Sequence, residues 1–353
     1  MTEFVRRDGW PEGIDNRANW KDVPLNRVRD AVNVDALASG SMALRGGFDK
    51  VADGTEIRGA VACGDYIVMA DGTDLKAYNT RTSTLQTIAS IAGAGRFAGD
   101  VLNGELFFCT ENQTLRFKDG IVRAWGVPTP VSQPVPEVVT GGLLPGTYQC
   151  AITYMDAAGE EGGTPMALTI TVAEGKGLRF TITLPAGAVK ARLYISSVNG
   201  SELYLQYEGT GTYTANVVRD DTARLDTMFA RGPVCGDFIA KHNACLCIAQ
   251  GSILWLTLPM RPHLRNVAHR FFQYPAPIDA IVSVETGLYV LADKTYFITG
   301  VETAQPQQAV VFDFGGVYGS HTTTPDGDAI WMTQYGVAKG DGNGAVTLLS
   351  QAR

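Results

Sequence analysis

The feature that most constrains this chain is a hairpin that recurs at an even spacing. It is clearest over residues 287–300, GLYVLADKTYFITG. There an apolar, β-prone run at Leu288 to Leu291 is followed by a polar turn at Asp293 and Lys294. The same character then resumes at Tyr296, Phe297 and Ile298, which is the pattern of two short strands joined by a tight turn. The same shape recurs at 66–78 through DGT, at 106–117 through ENQ, at 245–256 through QGS and at 330–340 through QYG. The residues closing the first strand of each hairpin are Ala70, Thr110, Ala249, Ala292 and Thr333, at intervals of about 40, 139, 43 and 41 residues. A period near 40 in a β-rich chain is the signature of a β-propeller. Each repeat is one small antiparallel sheet that cannot bury both faces alone and must stack on its neighbours in a ring. The long interval equals one ordinary interval plus an insert of about 100 residues, the size of one sandwich domain. The expected fold is therefore all-β: a propeller of about five blades (or six) interrupted by a sandwich.

Composition agrees with this reading. Hydrophobic residues make up 45% and charged residues 18%, which is globular rather than disordered, and 40 glycines with 16 prolines suit a fold full of tight turns. Residues 20–34 come nearest to a helical pattern, but Pro24 and scattered valines weaken it. The N-terminal MTEFVRRDGWPEG has arginines with no apolar stretch behind them, so no signal peptide is expected. No run of about eighteen apolar residues is present, so no membrane span is expected either. The six cysteines, 63, 109, 150, 235, 245 and 247, mostly sit inside apolar strands and read as buried thiols. A net charge of −7 argues against tight capture of nucleic acid, which needs cations set against phosphates, but not against DNA sliding past.

Taken in order, residues 1–50 read as an extended arm that also supplies a closing strand from the 30s and 40s to the last blade. Residues 51–127 form the first part of the propeller, and 128–135, PTPVSQPV, a linker marked by an abrupt change of composition. Residues 136–230 form a separate unit of six or seven short alternating strands, the pattern of an immunoglobulin-like sandwich. The TYxxxITYxDxxGxE pattern over 147–161 is similar to fibronectin type III modules. Residues 231–353 resume the propeller.

Both flanks carry a resemblance to a known family. Gly13-Ile14-Asp15-Asn16, Val23-Pro24-Leu25, Ala31-Val32-Asn33-Val34-Asp35, Gly40 and Leu44-Arg45-Gly46-Gly47-Phe48 occur in that order. Further on come Pro262-His263-Leu264, Phe272, Pro275, Ile278 and Tyr296 to Gly300. Last come Pro325-Asp326-Gly327-Asp328, Ile330-Trp331 and Tyr335-Gly336-Val337. Together, over roughly 240 residues, these resemble the β-propeller tail nozzle or hub proteins of tailed (podovirus-type) phages, also described as packaged-DNA stabilisation proteins. The resemblance implies a structural virion protein, made in the host cytoplasm and placed in the tail. It implies a homo-hexameric ring below the portal and head-to-tail adaptor, lining the exit path of double-stranded DNA without reading its sequence. The sandwich would project outward to tail fibres or neighbouring subunits. Such proteins commonly run on beyond the point where this chain stops at Arg353, which leaves a distal tip unaccounted for.

No set of residues assembles into a catalytic motif, and no cofactor or metal is expected. His263 and His269 lie six apart with no nearby cysteine or paired acid, which is poor metal spacing. A propeller glycosidase would need paired carboxylates about 5 to 9 Å apart. Asp65, Asp71, Asp293 and Asp328 sit at strand ends or turns, where turn chemistry explains each of them. A fibre adaptor or a receptor- or glycan-binding propeller is the other alternative, and an exposed aromatic cluster at the propeller mouth would mark it. The most unusual local feature is 260–270, which gathers Arg261, His263, Arg265, His269 and Arg270 in an acidic chain. It reads either as a loop docking on an acidic subunit or brushing DNA phosphates, or as arginines that pair locally. Trp10 and Trp20 in the arm are the other candidate partner contacts, unless they lie across their own propeller.

Overall fold

The computed structural model describes residues 19, 21–24, 26–36, 39, 41–47, 50–91 and 95–349. Among them it is all-β, with no helix, and therefore none long and apolar enough to cross a membrane. The chain divides into two units, Met1–Asp53 and Gly54–Arg353. In the first, strands Val34–Ala36 and Met42–Leu44 pair antiparallel with each other.

In the second unit every predicted hairpin is present, each at the centre of a small antiparallel sheet. Four sheets are four-stranded meanders with strands in chain order, spanning 57–90, 98–124, 280–312 and 322–348. The third sheet in sequence, over 230–273, has six strands, because Ala230–Arg231 and Phe271–Gln273 join its meander. We number these sheets one to five. Between the second and third lie seven strands over 137–215 in two further sheets, one of three strands and one of four. These many small sheets are compatible with a β-propeller.

Local chemistry explains the hairpins. Leu102 pairs with Glu105 across the two residues Asn103-Gly104, both at positive φ (54° and 74°), which matches the right-handed twist of the flanking strands. Burial then separates two kinds of strand. In Lys176–Ile182, Leu178, Phe180 and Ile182 point inward while Arg179 and Thr181 are exposed, as in a sheet with one wet face. In Gly287–Leu291 all five residues are buried, so both faces must be covered.

The covering partners follow side-chain alternation. In Glu105–Cys109, Leu106 and Phe108 pack with Val68, Leu75 and Ala77 of the first sheet. The intervening Phe107 and Cys109 pack with Leu246 and Ile248 of the third. In Cys245–Gln250, the residues Cys245, Cys247 and Ala249 face the other way, into a core shared with Leu288, Tyr289, Val290 and Trp331 of the fourth and fifth sheets. Each successive pair of sheets is thus glued by one residue parity of a central strand. The seven-stranded unit has its own core around Cys150, Leu178, Phe180 and Leu193. Five cysteines are buried and Cys235 is half-buried. Burial pushes the Cys150 thiol up to about 12 and the Cys245 thiol up to about 11.

The seven-stranded unit joins the meanders through backbone as well as side chains. Thr164 forms a parallel bridge with Met228 and exchanges hydrogen bonds with Thr227 and Phe229, just ahead of the edge strand Ala230–Arg231. A Cβ on Gly163 would meet the Ala230 carbonyl oxygen at 1.7 Å. Gly163→Ala should therefore lower stability by more than about 2 kcal/mol, read from the urea midpoint. Gly251→Ala, at a turn with open space around it, should pay only the strain of its positive φ, about 1 kcal/mol.

Candidate functional site

The basic segment 260–270 is not a loop. Met260 makes a turn at φ 60°, and Arg261–Asn266 is a strand paired with both Ile253–Leu258 and Ala230–Arg231. Most of its charged side chains are used inside the protein. Arg261 is exposed but ion-paired with Asp226 at 2.7 Å. His263 is buried, with Nε2 3.3 Å from the Glu161 carbonyl oxygen and Nδ1 3.7 Å from Glu160. Burial pushes its pKa below the ordinary histidine value, although Glu160 pulls the other way. Arg265 lays its guanidinium 4.2 Å from the Trp255 ring centre and donates from Nε to the Gly232 carbonyl. Burial, and then the neighbouring Arg231, lower its pKa.

Arg270 is buried at φ 68° and donates to the carbonyls of Thr257, Val301 and Thr303 and to the Cys245 sulfur. It ties the third sheet to the fourth. His269 is exposed, with its backbone N–H capped by Asn266. Trp10 and Trp20 lie outside the described residues. The five described candidates therefore do not form one surface: His263 meets Glu160 and Glu161 of the seven-stranded unit, Arg261 pairs with Asp226, and Arg270 is buried against Thr257, Val301 and Thr303.

The residue that organises the junction is Arg116, on the third strand of the second sheet. It is 1% exposed. Its guanidinium forms a fork with Glu160 (2.8 and 2.6 Å), reaches Asp156 at 3.1 Å and donates from Nε to the Ala124 carbonyl. Burial alone would raise the Glu160 carboxyl, but Arg116 together with His263 and Arg123 offsets this and holds its pKa below the ordinary carboxylate value. Neighbouring Glu161 accepts from Thr153, Tyr194 and Arg192, so the acidic turn 156–161 is gripped from both sides. The Trp125 indole donates to the Pro262 carbonyl at 2.8 Å and closes the triangle between the second sheet, the third sheet and the seven-stranded unit. A polar residue within an apolar strand, TLRFK, facing an acidic turn downstream was the available sequence signal for Arg116.

The four aspartates considered for glycoside chemistry are each engaged locally. Asp65 pairs with Arg81, and Asp328 with Lys339. Asp293 accepts from the Tyr296 hydroxyl. Asp71 accepts from the backbone N–H groups of Thr55 and Glu56 and from Lys76. The Glu56 N–H and then Lys76 hold the Asp71 carboxyl down to about 2. A separate concentration of charge lines a cleft of about 420 Å³ among the first strands of the sheets, with Arg58, Arg96, Asp237 and His321 on its wall.

No family model matches the chain, and no curated protein matches it. Among solved structures it is similar to BBS1N in complex with ARL6DN, at 11% identity and a TM-score of 0.30, with 86% of each chain covered. It is also similar to a eukaryotic initiation factor, at 12% identity and a TM-score of 0.26, covering 88% of this chain and 91% of that one. The computationally designed Ika8 protein matches at 9% identity and a TM-score of 0.27, covering 82% of this chain and 84% of that one. At these values the likenesses carry no argument about what the chain does.

Two outcomes are expected at the junction and at Asp71. Arg116→Ala removes the buried cation that the half-buried Asp156 and Glu160 pair with, and should cost about 1.5 to 3 kcal/mol in urea unfolding at pH 7. That penalty should shrink in acid as Glu160 protonates. A loss below about 1 kcal/mol, the range of a surface pair, would show that Arg116 does not hold the junction. Glu160 and Asp71 have folded pKa values below their unfolded ones, so their contribution is present above the unfolded value and is lost as pH falls through the folded one. Stability should decline as pH drops from about 5 towards 2, and Asp71→Asn should flatten that decline in acid unfolding followed by circular dichroism.

Proposed function

We propose that this chain is a five-bladed β-propeller carrying an inserted fibronectin III-like sandwich, and that it is a non-enzymatic structural protein of a phage tail. In this reading it assembles as a homo-hexameric nozzle or hub ring below the portal and adaptor. The ring lines the DNA exit path and helps retain the packaged genome. The observation that carries the reading is the rigid union of sandwich and meanders through the buried Arg116 network and the 163–164 to 227–230 backbone bridge. A part that bears load during DNA packaging and ejection needs such a union, because a sandwich on a free linker would transmit no force.

Further support comes from the fate of the chemistry-bearing side chains. The basic segment and the turn aspartates are spent on internal contacts, which suits a scaffold. The five sheets follow one another through shared cores, and Arg58 of the first sheet and His321, which leads into the fifth, reach one cleft, as a closed ring of blades requires. DNA would pass through the ring of subunits, since a propeller's own channel is filled or narrow. A mildly acidic lining, in keeping with the net charge of −7, would repel the duplex and let it slide. The sandwich, projecting outward, would meet tail fibres or neighbouring subunits.

The deciding measurement is solution mass by light scattering with negative-stain imaging of any large species. A ring of about six subunits with an opening wide enough for duplex DNA is the expected result. A strict monomer, alone and in the presence of a purified portal–adaptor complex, would overturn the nozzle assignment.

A further inference from the structure

The cleft among the first strands carries an inference that goes beyond the structural role and does not depend on ring assembly. Its wall is built from residues 58–61, 96–99 and 237–239 and from His321, so four of the five sheets contribute to it or lead into it. In a chain of net charge −7, two arginines, Arg58 and Arg96, meet here, with His321 kept towards its neutral form by burial and by Arg96. Arg58 spends its two terminal nitrogens on the carbonyls of Gly95 and Gly72, which fixes the backbone beside Arg96. Its Nε is buried without a partner. His321 likewise buries an unpartnered Nδ1, with its ring 5.5 Å from that of Phe238.

Arg96 is exposed and makes no hydrogen bond or ion pair among the described residues. It is nevertheless held in place. Its guanidinium lies 4.5 Å from the Phe238 ring centre and 5.7 Å from that of Tyr318. A Cβ on Gly319 would come 2.8 Å from its Nη1. An arginine fixed by aromatic stacking, with its donor edge unspent, is pre-organised for a forked bond to a carboxylate or phosphate. The same cleft also presents the Asp237 carboxylate, which has no cationic partner among the described residues. A bare inorganic anion would leave it unused, whereas a ligand carrying hydroxyls would donate to it. The volume of about 420 Å³ falls in the range of small-molecule sites, about 300 to 1,000 Å³, and exceeds what an isolated anion needs.

We propose that this cleft binds an acidic monosaccharide or a hydroxylated carboxylate of similar size. Its carboxylate would sit on Arg96 and its hydroxyls on Asp237.

The test titrates the intact chain with sodium glucuronate, using glucose and inorganic phosphate for comparison, by calorimetry and by ligand-observed NMR. Glucuronate is expected to bind with a Kd of about 1 mM or tighter, and glucose to give no signal. Arg96→Ala should weaken glucuronate at least about tenfold while the chain stays folded, with the thermal midpoint falling only by the loss of an exposed cation–π contact. Asp237→Ala should weaken glucuronate while leaving phosphate unchanged or tighter. No binding of glucuronate, or equal affinity in Arg96→Ala, would overturn the site. Binding of phosphate without glucuronate would overturn the ligand class. Each of these results is independent of whether rings form.

Discussion

The constraint on which the rest of the structure depends is that its central strands are buried on both faces. A lone antiparallel sheet has one face to spare for water, but Gly287–Leu291 has none. The alternation of side chains converts this into architecture. Leu106 and Phe108 go to one neighbouring sheet, Phe107 and Cys109 to the other. Each fully buried aromatic or leucine contributes about 1.5 to 3 kcal/mol relative to an exposed one. Two or three such residues on each face are enough to make stacking compulsory, and no sheet could leave the series without exposing a row of them.

The junction works by different physics. Arg116 and its carboxylates are drawn out of water, and a buried ion pair gains little over a well-packed apolar contact. What it provides is direction: a forked guanidinium accepts Glu160 in one geometry, and Asp156 and the Ala124 carbonyl occupy the remaining donors. The acidic turn of the seven-stranded unit is therefore placed, not merely attracted. Arg270 does the same between the third and fourth sheets, using only neutral carbonyls and a thiol. The two most buried arginines described here both act as connectors between sheets, which is why the apparent basic patch at 260–270 dissolves on folding.

Much of the fold was legible before the structure. Alternation, polar turns such as Asp71-Gly72 and the even spacing of five hairpins are local signals, and each hairpin lies where they placed it. Three things were not legible. The early strands at 34–36 and 42–44 carry no mark of which edge they pair with, and they pair with each other. Pro262 and the clustered arginines suggested a loop, but Arg261–Asn266 is a strand whose pairing with Ile253–Leu258 shifts register around Pro262, and proline is tolerated at such an irregularity. The partners of Arg116 lie 40 and 44 residues further along the chain, beyond the reach of any local pattern.

The sequence by itself determined the all-β class, the hairpin repeat and the seven-strand interruption, because these follow from short-range periodicity and turn chemistry. Only the tertiary structure decided which cations are spent and which remain available. Arg116, His263 and Arg270 look no different in sequence from Arg96, yet the first three are buried against carboxylates and carbonyls while Arg96 stands on two aromatic rings with its donors unspent among the described residues. The physical reason is that pairing depends on what neighbouring sheets bring to within hydrogen-bonding distance, and stacking order, not sequence separation, sets those neighbours.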